Sequence, residues 1–275
     1  LCDGDRDGCT LYNSTADLMM TILLLFFPLI ASLAVLLGGS KLAAKLALGL
    51  AVVELAITGY AVSVFQASGP EAFYIFHSWI ESPKVSFHLG LDGLSLIMVL
   101  LTNFLTPIII LSAFNRNTPH AAGYFSLILL MQFALVGVFT AMDGLLYYIF
   151  WELALIPIYF IALRWGGANR VAITLKFFIY TLAGSLLMLF GFIMLYWYNP
   201  DQSFDIRELY RIYISDGNQS WLFWMFFLAF AIKIPIVPFH TWQADTYRES
   251  PTQGTMLLSG IMLKMGTYSL IRWLL

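Results

Sequence analysis

Three ionisable side chains, Glu152, Lys233 and Lys264, stand within apolar runs of this sequence. A charged group at membrane depth costs several kcal/mol unless it is paired or hydrated. Loss of water disfavours the charged form of a lysine, and a nearby carboxylate restores it. A glutamate and a lysine whose separation changes can therefore exchange a proton with their surroundings, and a second lysine can receive that proton. The three residues predict a proton relay.

The same residues also fit a static role. An ion pair between Glu152 and Lys233 could tie two helices together, in which case no proton would move. A third ionisable group, Lys264, in a neighbouring apolar run is harder to explain as structural support. The sequence leaves both interpretations open and favours the relay.

Two prolines, Pro235 and Pro238, follow Lys233 closely. Proline lacks the backbone N–H and clashes with the preceding turn, so the helix that carries Lys233 is predicted to break there. Irregular backbone at membrane depth is tolerated where it lines water or is buried in protein, and broken helices are typical of transporters. The alternative is a helix that simply ends near Pro235, which still leaves Lys233 at a helix terminus.

Two further residues are weaker candidates for the same path. Histidine titrates near neutral pH, although a capping or hydrogen-bonding role fits a loop residue such as His240 equally well. Lys176 is expected near the cytoplasmic start of its helix, where a lysine side chain commonly reaches the interface. Glu54, in another apolar run, is expected to face Lys41, Lys45 or a protein neighbour rather than to translocate protons.

The composition predicts the elements that position these residues. The chain has 275 residues, of which 60% are hydrophobic and 11% charged, against about 25% charged in soluble domains. A helix needs about 20 apolar residues to cross a bilayer, so the fold class is an all-α polytopic transmembrane helix bundle. About eight spans are predicted, at 18–37, 42–65, 91–113, 122–142, 144–163, 173–197, 220–239 and 253–274.

The loops predict the orientation of the bundle. The loops after odd-numbered spans contain six basic residues, whereas the loops after even-numbered spans contain three among many acids. Because basic loops stay in the cytoplasm, the N-terminus is predicted to face outward. The chain then divides into a polar outward-facing tail, 1–17, transmembrane helices 1–3, 18–114, and transmembrane helices 4–8, 115–275.

The remaining polar segments and the cysteines exclude several kinds of site. Segment 66–90 is predicted as a polar excursion, and segment 198–219 as a short interfacial helix around 206–214. The net charge of −2 gives no indication of a nucleic-acid partner. Only Cys2 and Cys9 are present, both in the tail, which excludes iron–sulfur clusters, thiolate-ligated haem and cysteine-based zinc sites within this chain.

Several strings of residues resemble a known family, antiporter-like subunit M of bacterial NADH:quinone oxidoreductase, which is similar to subunit 4 of mitochondrial respiratory complex I. The strings are Leu91-Asp92-Gly93-Leu94-Ser95, Phe150-Trp151-Glu152 with Ile156-Pro157, Trp165-Gly166-Gly167-Ala168-Asn169-Arg170, Lys176-Phe177-Phe178-Ile179-Tyr180-Thr181-Leu182-Ala183-Gly184-Ser185, Ala231-Ile232-Lys233-Ile234-Pro235-Ile236-Val237-Pro238-Phe239-His240-Thr241-Trp242, Ser250-Pro251-Thr252 and Leu263-Lys264-Met265-Gly266-Thr267-Tyr268.

The resemblance implies a subunit of about fourteen helices with two inverted half-channels, of which this chain carries the first. It implies that Glu152, Lys233 and Lys264 are the proton-relay residues, and a fragment or truncated product is expected. NADH, FMN, iron–sulfur clusters and quinone are expected in partner subunits, with no cofactor or metal in this chain. The expected surroundings are the bacterial inner membrane and other membrane-arm subunits. Segment 243–249 departs from the family's usual run, which puts a loop histidine of the family in doubt.

Two alternatives remain open at this stage. The same fold serves subunits of cation/proton antiporters and membrane-bound hydrogenases, and fold alone does not separate these functions. A passive membrane scaffold, in which the ion pairs only hold helices together, is the alternative from a different class. Buried lysine favours protons over sodium, because an ammonium group has no lone pair with which to coordinate Na⁺.

Overall fold

The computed structural model describes residues 15–116 and 118–274, and within them the chain forms a helical bundle. Residues 1–14, which hold both cysteines and most of the predicted tail, lie outside the described residues. The helices are α1 Thr15–Leu37, α2 Ala43–Ser68, α3 Gly93–Ala113, α4 Ala121–Thr140, α5 Gly144–Leu153, α6 Leu155–Trp165, α7 Arg170–Tyr198, α8 Ile206–Leu209, α9 Asp216–Lys233, α10 Thr241–Glu249, α11 Thr252–Leu257 and α12 Leu263–Trp273.

The predicted spans coincide with helices of this bundle. Within the described part of the chain, six helices are long and apolar enough to cross a membrane, with α5 and α6 counted as one unit, Gly144–Trp165. The last two predicted spans are interrupted, because α9 ends at Lys233 and a π-helix, Leu258–Met262, separates α11 from α12. The all-α bundle predicted from the sequence is confirmed, and the interruptions fall next to candidate site residues.

A β-hairpin lies between α2 and α3, where the sequence predicted only a polar excursion. Its strands, β1 Ile75–Ile80 and β2 Val85–Leu89, pair antiparallel. At the start of α5, the Asp143 carboxylate accepts hydrogen bonds from the backbone N–H and the hydroxyl of Ser86, at 3.0 and 2.9 Å. The hairpin lies outside the apolar spans, so its backbone groups do not have to be satisfied within lipid.

The predicted interfacial helix at 206–214 is shorter than expected. α8 is a single turn, and residues 210–215 are not helical. Two isoleucines and a tyrosine occupy positions 212–214, and β-branched and aromatic residues have reduced helix propensity. Asp205 begins α8 by accepting a hydrogen bond from the backbone N–H of Arg207 at 2.9 Å. Its other oxygen lies 2.6 Å from Nδ1 of His88, which fixes α8 to β2.

Loops from alternate spans meet at one end of the bundle, here called the hairpin end. Lys84 pairs with Ser203, and Leu89 pairs with Ala141, so the loops that follow α2, α4 and α7 lie side by side. The Lys84 ammonium also donates to the carbonyl of Asp201 at 2.9 Å. The alternation of loops that the hydropathy pattern predicted is therefore present in the fold.

The remaining loops meet at the opposite end. The Trp165 indole N–H donates to the carbonyl of Pro119 at 2.8 Å, which joins the loop after α3 to the end of α6. The backbone N–H of Gly167 donates to the carbonyl of Glu249 at 2.7 Å, which adds the end of α10. This end carries the six basic residues of the odd-numbered loops, Lys41, Lys45, Arg116, Arg164, Arg170 and Arg248.

The helix that bears Lys233 breaks where the prolines predicted. Residues 234–240 separate α9 from α10, and the N–H of Ile236 bonds to the carbonyl of Ala231 at 2.9 Å, one residue further back than in an α-helix. The freed carbonyl of Ile232 accepts the indole N–H of Trp242 at 3.0 Å. The break is thus supported from α10, and it places Lys233 at a helix C-terminus inside the bundle.

Candidate proton-transfer site

Glu152 lies at a second irregular point, the junction of α5 and α6. α5 ends at Leu153 because Pro157 has no N–H to donate to the Leu153 carbonyl. A carboxylate near a helix C-terminus faces the negative end of the helix dipole, so it depends on other partners for stabilisation. Glu152 is partly buried, and its Oε1 has no hydrogen-bond partner. Its polar neighbours are Tyr148 and Ser185.

Lys233 is the last residue of α9 and is 2% exposed. Its Nζ is buried and has no hydrogen-bond partner. α12 packs closely against it, since a Cβ added to Gly266 would lie 3.3 Å from the Lys233 Cβ. The positive end group at a helix C-terminus is favoured by the helix dipole, but the ammonium has lost its water without gaining a hydrogen bond.

Two groups stabilise the ammonium of Lys233 without bonding to it. Glu152 acts on it electrostatically, yet no oxygen of Glu152 comes within the 4.0 Å of a direct ion pair among the described residues. The Lys233 Nζ lies 5.1 Å from the centroid of the Trp151 ring, within the range of a cation–π contact. The pair is therefore close enough to interact and open enough to change its separation.

Trp151 is a functional candidate that the sequence reasoning did not single out. It is 1% exposed, and its ring packs against that of Phe230 at a centroid distance of 5.9 Å. The available signal was its place directly before Glu152, because an aromatic ring beside a buried acid can also face the cation that the acid attracts. The Trp151 ring attracts the Lys233 ammonium but does not accept its proton.

Lys264 does not join this pair within the chain. It is exposed, and its Nζ donates to the carbonyl of Ser259 in the π-helix. Gly266, two residues on, faces Ile234 and Lys233. Because successive helical residues are about 100° apart, Lys264 projects to nearly the opposite side of α12.

The two weaker candidates lie at the opposite end of the bundle. The Lys176 Nζ donates to Asp245 at 2.9 Å and to the carbonyl of Thr241 at 3.3 Å, which holds α10 against α7. The hydrogen bond and charge of Lys176 hold the pKa of Asp245 below its usual range. His240 is exposed at the start of α10, and its side chain makes no capping hydrogen bond. Neither candidate is among the polar or charged groups that act on Glu152 or Lys233.

Curated relatives are similar to this chain over most of its length. The subunit M of NADH-quinone oxidoreductase from Rickettsia conorii is 38% identical over 262 residues, which cover 91% of this chain and 53% of the relative. The F(420)H(2) dehydrogenase subunit M of Methanosarcina mazei is 38% identical over 259 residues, which cover 91% of this chain and 52% of the relative. The chain spans about half the length of these relatives.

A solved structure supports the same relationship. A chain of respiratory complex I from Thermus thermophilus with bound NADH superposes with a TM-score of 0.81 at 27% identity, covering 92% of this chain and 52% of that chain. Residues 141–275, which contain Glu152, Lys233 and Lys264, match the family described as "NADH:quinone oxidoreductase/Mrp antiporter, TM". The fold and these similarities show that residues 141–275 belong to the NADH:quinone oxidoreductase/Mrp antiporter transmembrane family.

Proposed function

We propose that this chain supplies the first half-channel of a proton-translocating membrane-arm subunit of NADH:quinone oxidoreductase. The observation that carries the proposal is the open pair of Glu152 and Lys233. Both groups lie at interrupted helices, and the buried Nζ of Lys233 has no hydrogen-bond partner. In this proposal residues 18–114 form the supporting helices and residues 115–275 form the half-channel.

The proposed cycle alternates the partner of Lys233. The Glu152 carboxylate and the Trp151 ring stabilise the ammonium form, because each supplies negative potential in a dry site. When Glu152 moves away or takes up a proton itself, Lys233 loses its counter-charge and a proton leaves Nζ. The irregular segment 234–240 beside Lys233 offers a route for that proton, since non-helical backbone has free polar groups.

Lys264 is the proposed receiver of the next step. Its outward position suits a residue that passes protons to an adjoining segment or subunit rather than back to Glu152. His240 and Lys176 stay weaker proposals, for an entry route at the opposite end of the bundle. Proton movement along these residues requires no redox centre in this chain.

The proposed partners are the other membrane-arm subunits of the complex. NADH, FMN, iron–sulfur clusters and quinone are proposed to bind in partner subunits, which deliver the redox energy. Relatives named as subunits of NADH-quinone oxidoreductase support this assignment. The basic loops at the opposite end of the bundle support a bacterial inner-membrane orientation with the N-terminus outward.

The proposal is tested by proton pumping in membranes that contain the assembled complex. Glu152→Gln and Lys233→Met are each expected to abolish this subunit's contribution to the proton-to-electron ratio of the complex. Lys45→Met is the matched control, because Lys45 is exposed in a basic loop region at the start of α2. Pumping at the wild-type ratio in assembled Lys233→Met complexes would contradict the proposal.

A second candidate is a subunit of a cation/proton antiporter of the same family. The family description that matches residues 141–275 includes Mrp antiporters. Copurification of NADH-oxidising subunits with this chain favours the first proposal, whereas sodium/proton exchange without such subunits favours the second. A passive scaffold is the remaining alternative, and it predicts unchanged activity when Glu152 and Lys233 are both neutralised.

A further inference from the structure

Another acid within the spans, Glu54, lies in α2, away from Lys41 and Lys45, which the sequence had offered as possible partners. The inward-facing stripe of α2 is made of small residues except at Glu54, which is 1% exposed. Lys45 is exposed, and nine residues of helix separate it from Glu54 by about 13 Å. Glu54 therefore needs a different partner.

An amide network joins Glu54 to two neighbouring helices. Asn103 of α3 donates its two amide hydrogens to Glu54 Oε1 at 3.2 Å and to the Thr58 hydroxyl at 2.7 Å. Gln132 of α4 donates to Asn103 Oδ1 at 2.7 Å. Thr58 in turn donates to the carbonyl of Glu54 at 2.8 Å. The side chains tie α2, α3 and α4 together inside the bundle.

Two acceptors of the network have no donor. Glu54 Oε2 and Gln132 Oε1 are both buried acceptors without a partner, and Gln132 is also 1% exposed. The hydrogens of Asn103 and Thr58 are already committed. Burying an acceptor without a donor costs about 1–3 kcal/mol. A hydrogen on Glu54 Oε2 would turn this unpaired acceptor into a donor and remove the charge from the buried carboxyl group.

The opposite assignment of the amide groups also favours a protonated Glu54. Oxygen and nitrogen of Asn and Gln side chains are assigned from the hydrogen-bond network, so both amides must be considered reversed. Asn103 Oδ1 would then face Glu54 Oε1, and two acceptors would meet unless Oε1 carried a hydrogen. In this reversed arrangement Glu54 must be protonated for the network to close, and in the first arrangement protonation removes an uncompensated buried charge.

No positive charge replaces that hydrogen. Among the described residues only Asn103 and burial act on the Glu54 carboxyl. α3 has no ionisable side chain, and α2 packs besides against α1, α4 and the 3-10 turn Pro70–Phe73. The other ionisable residues of these elements are Asp17, Lys45, Tyr60, Glu71 and Tyr124. Lys45 is the only cation among them, and it is exposed.

We propose that Glu54, Asn103 and Gln132 form a second proton-binding site, which holds one proton between α2 and α4. The ligand is a proton rather than a metal ion, because only two oxygens of the network are free, whereas hard cations such as Ca²⁺ and Mg²⁺ take about six or more. This site does not depend on the proposed pump.

The second site is separate from Glu152. Gln132 faces α3, while its neighbour Phe133 packs against Phe150 of α5 at a ring-centroid distance of 5.6 Å. α4 therefore lies between the Glu54 network and the helix that carries Glu152. A proton held by Glu54 can be measured without disturbing the Glu152–Lys233 pair.

Infrared difference spectroscopy of the membrane-embedded complex tests the proposal. A protonated carboxyl group has a C=O stretch that a carboxylate lacks. Wild-type protein at neutral pH is expected to show such a band, which disappears in Glu54→Gln and shifts in Gln132→Leu. Glu81→Gln is the control, because Glu81 is exposed in the hairpin loop, and it is expected to retain the band. An unchanged band in Glu54→Gln would overturn the proposal.

A stability comparison provides the second arm. Glutamine has the shape of a protonated glutamate and offers an N–H where the proposal places the O–H, so Glu54→Gln is expected to keep the thermal unfolding temperature near the wild-type value. Glu54→Leu removes the acceptor of Asn103 and is expected to lower it. Equal losses in both variants, or an unfolding temperature that rises with sodium only in the wild type, would overturn proton binding.

Discussion

Glu152 and Glu54 are two carboxyl groups inside one bundle, and their surroundings differ in the local backbone and in the nearest charge. Each has one buried oxygen without a partner, but Glu152 lies at a helix junction and interacts with a lysine that it does not touch. Glu54 lies within one continuous helix and is bonded into a network of amides. A proton between Glu152 and Lys233 has two alternative holders, whereas a proton on Glu54 has one.

If both proposals hold, one helix bundle separates a mobile proton from a resident one. Proline breaks the hydrogen-bonded backbone near Glu152 and Lys233, which allows small movements to change their separation. Asn103 and Gln132 fix Glu54 from two helices, which opposes any such movement. Burial alone does not identify a translocating residue. What distinguishes Glu152 from Glu54 is the interrupted helix around it and the nearby charge of Lys233.

The largest expected effect comes from removing both members of the mobile pair. Deleting one partner of a buried pair is expected to destabilise the protein by about 3–5 kcal/mol, because the other charge stays buried alone. Glu152→Gln combined with Lys233→Met is expected to recover assembly but to lose this subunit's whole contribution to proton pumping. Native gel electrophoresis and proton uptake by vesicles measure the two quantities. A double variant that pumps normally would favour a scaffold.

Asp205, which lies outside the spans, forms a fixed ion pair with which the open pair of Glu152 and Lys233 can be compared. Asp205 is buried, but hydrogen bonds from His88 and Arg207 outweigh that burial and hold the pKa of Asp205 below its usual range. Its stabilising contribution is therefore complete above about pH 4 and is lost as the pH falls through the lowered value. Hydrogen exchange of the hairpin amides is expected to accelerate only in strong acid.

The Asp205→Asn variant tests this reference. It retains an acceptor for the start of α8 but removes the charge, so we expect faster hairpin exchange at neutral pH, corresponding to about 2 kcal/mol, and a weaker acid dependence. Proton pumping in the assembled complex is expected to stay normal. Exchange that depends on acid as strongly as in the wild type would show that another group is responsible.

The smallest expected effect comes from Trp151. Trp151→Leu keeps the apolar volume in part but removes the ring that faces Lys233, and an exposed or desolvated cation–π contact contributes about 0.5–2 kcal/mol. We expect the pumping rate to fall several-fold while the pH dependence of pumping shifts. Trp151→Phe keeps a weaker aromatic face, so its pumping rate is expected to lie between those of the wild type and Trp151→Leu. Equal behaviour of the Leu and Phe variants would assign Trp151 to packing alone.

Much of the fold followed from the sequence because hydropathy and proline act locally. The first six of the eight predicted spans, the alternation of loops between two ends, and the break after Lys233 are all present in the structure. The β-hairpin was missed because its strands are short and lie in a polar segment whose alternation is weak. The helix at 206–214 was overestimated because its last residues favour extended backbone.

The site was less accessible to sequence reasoning because rotation about a helix axis is a tertiary property. The depth of Lys264 in its apolar run suggested a place beside Lys233, yet the packing of Gly266 turns Lys264 outward. For Glu54 the sequence offered two nearby lysines or an unspecified protein neighbour, whereas its partners come from α3 and α4. Neutral amide residues such as Asn103 and Gln132 do not indicate from the sequence alone that they form a buried network.

Lys233→Arg tests the central claim most directly. Arginine keeps the positive charge and the attraction to Glu152, but it does not lose its proton in proteins. In assembled complexes with normal electron transfer, the account predicts that Lys233→Arg lowers the proton-to-electron ratio by this subunit's full contribution, as Lys233→Met does. A wild-type ratio in Lys233→Arg would contradict the account and show that the pair only holds helices together.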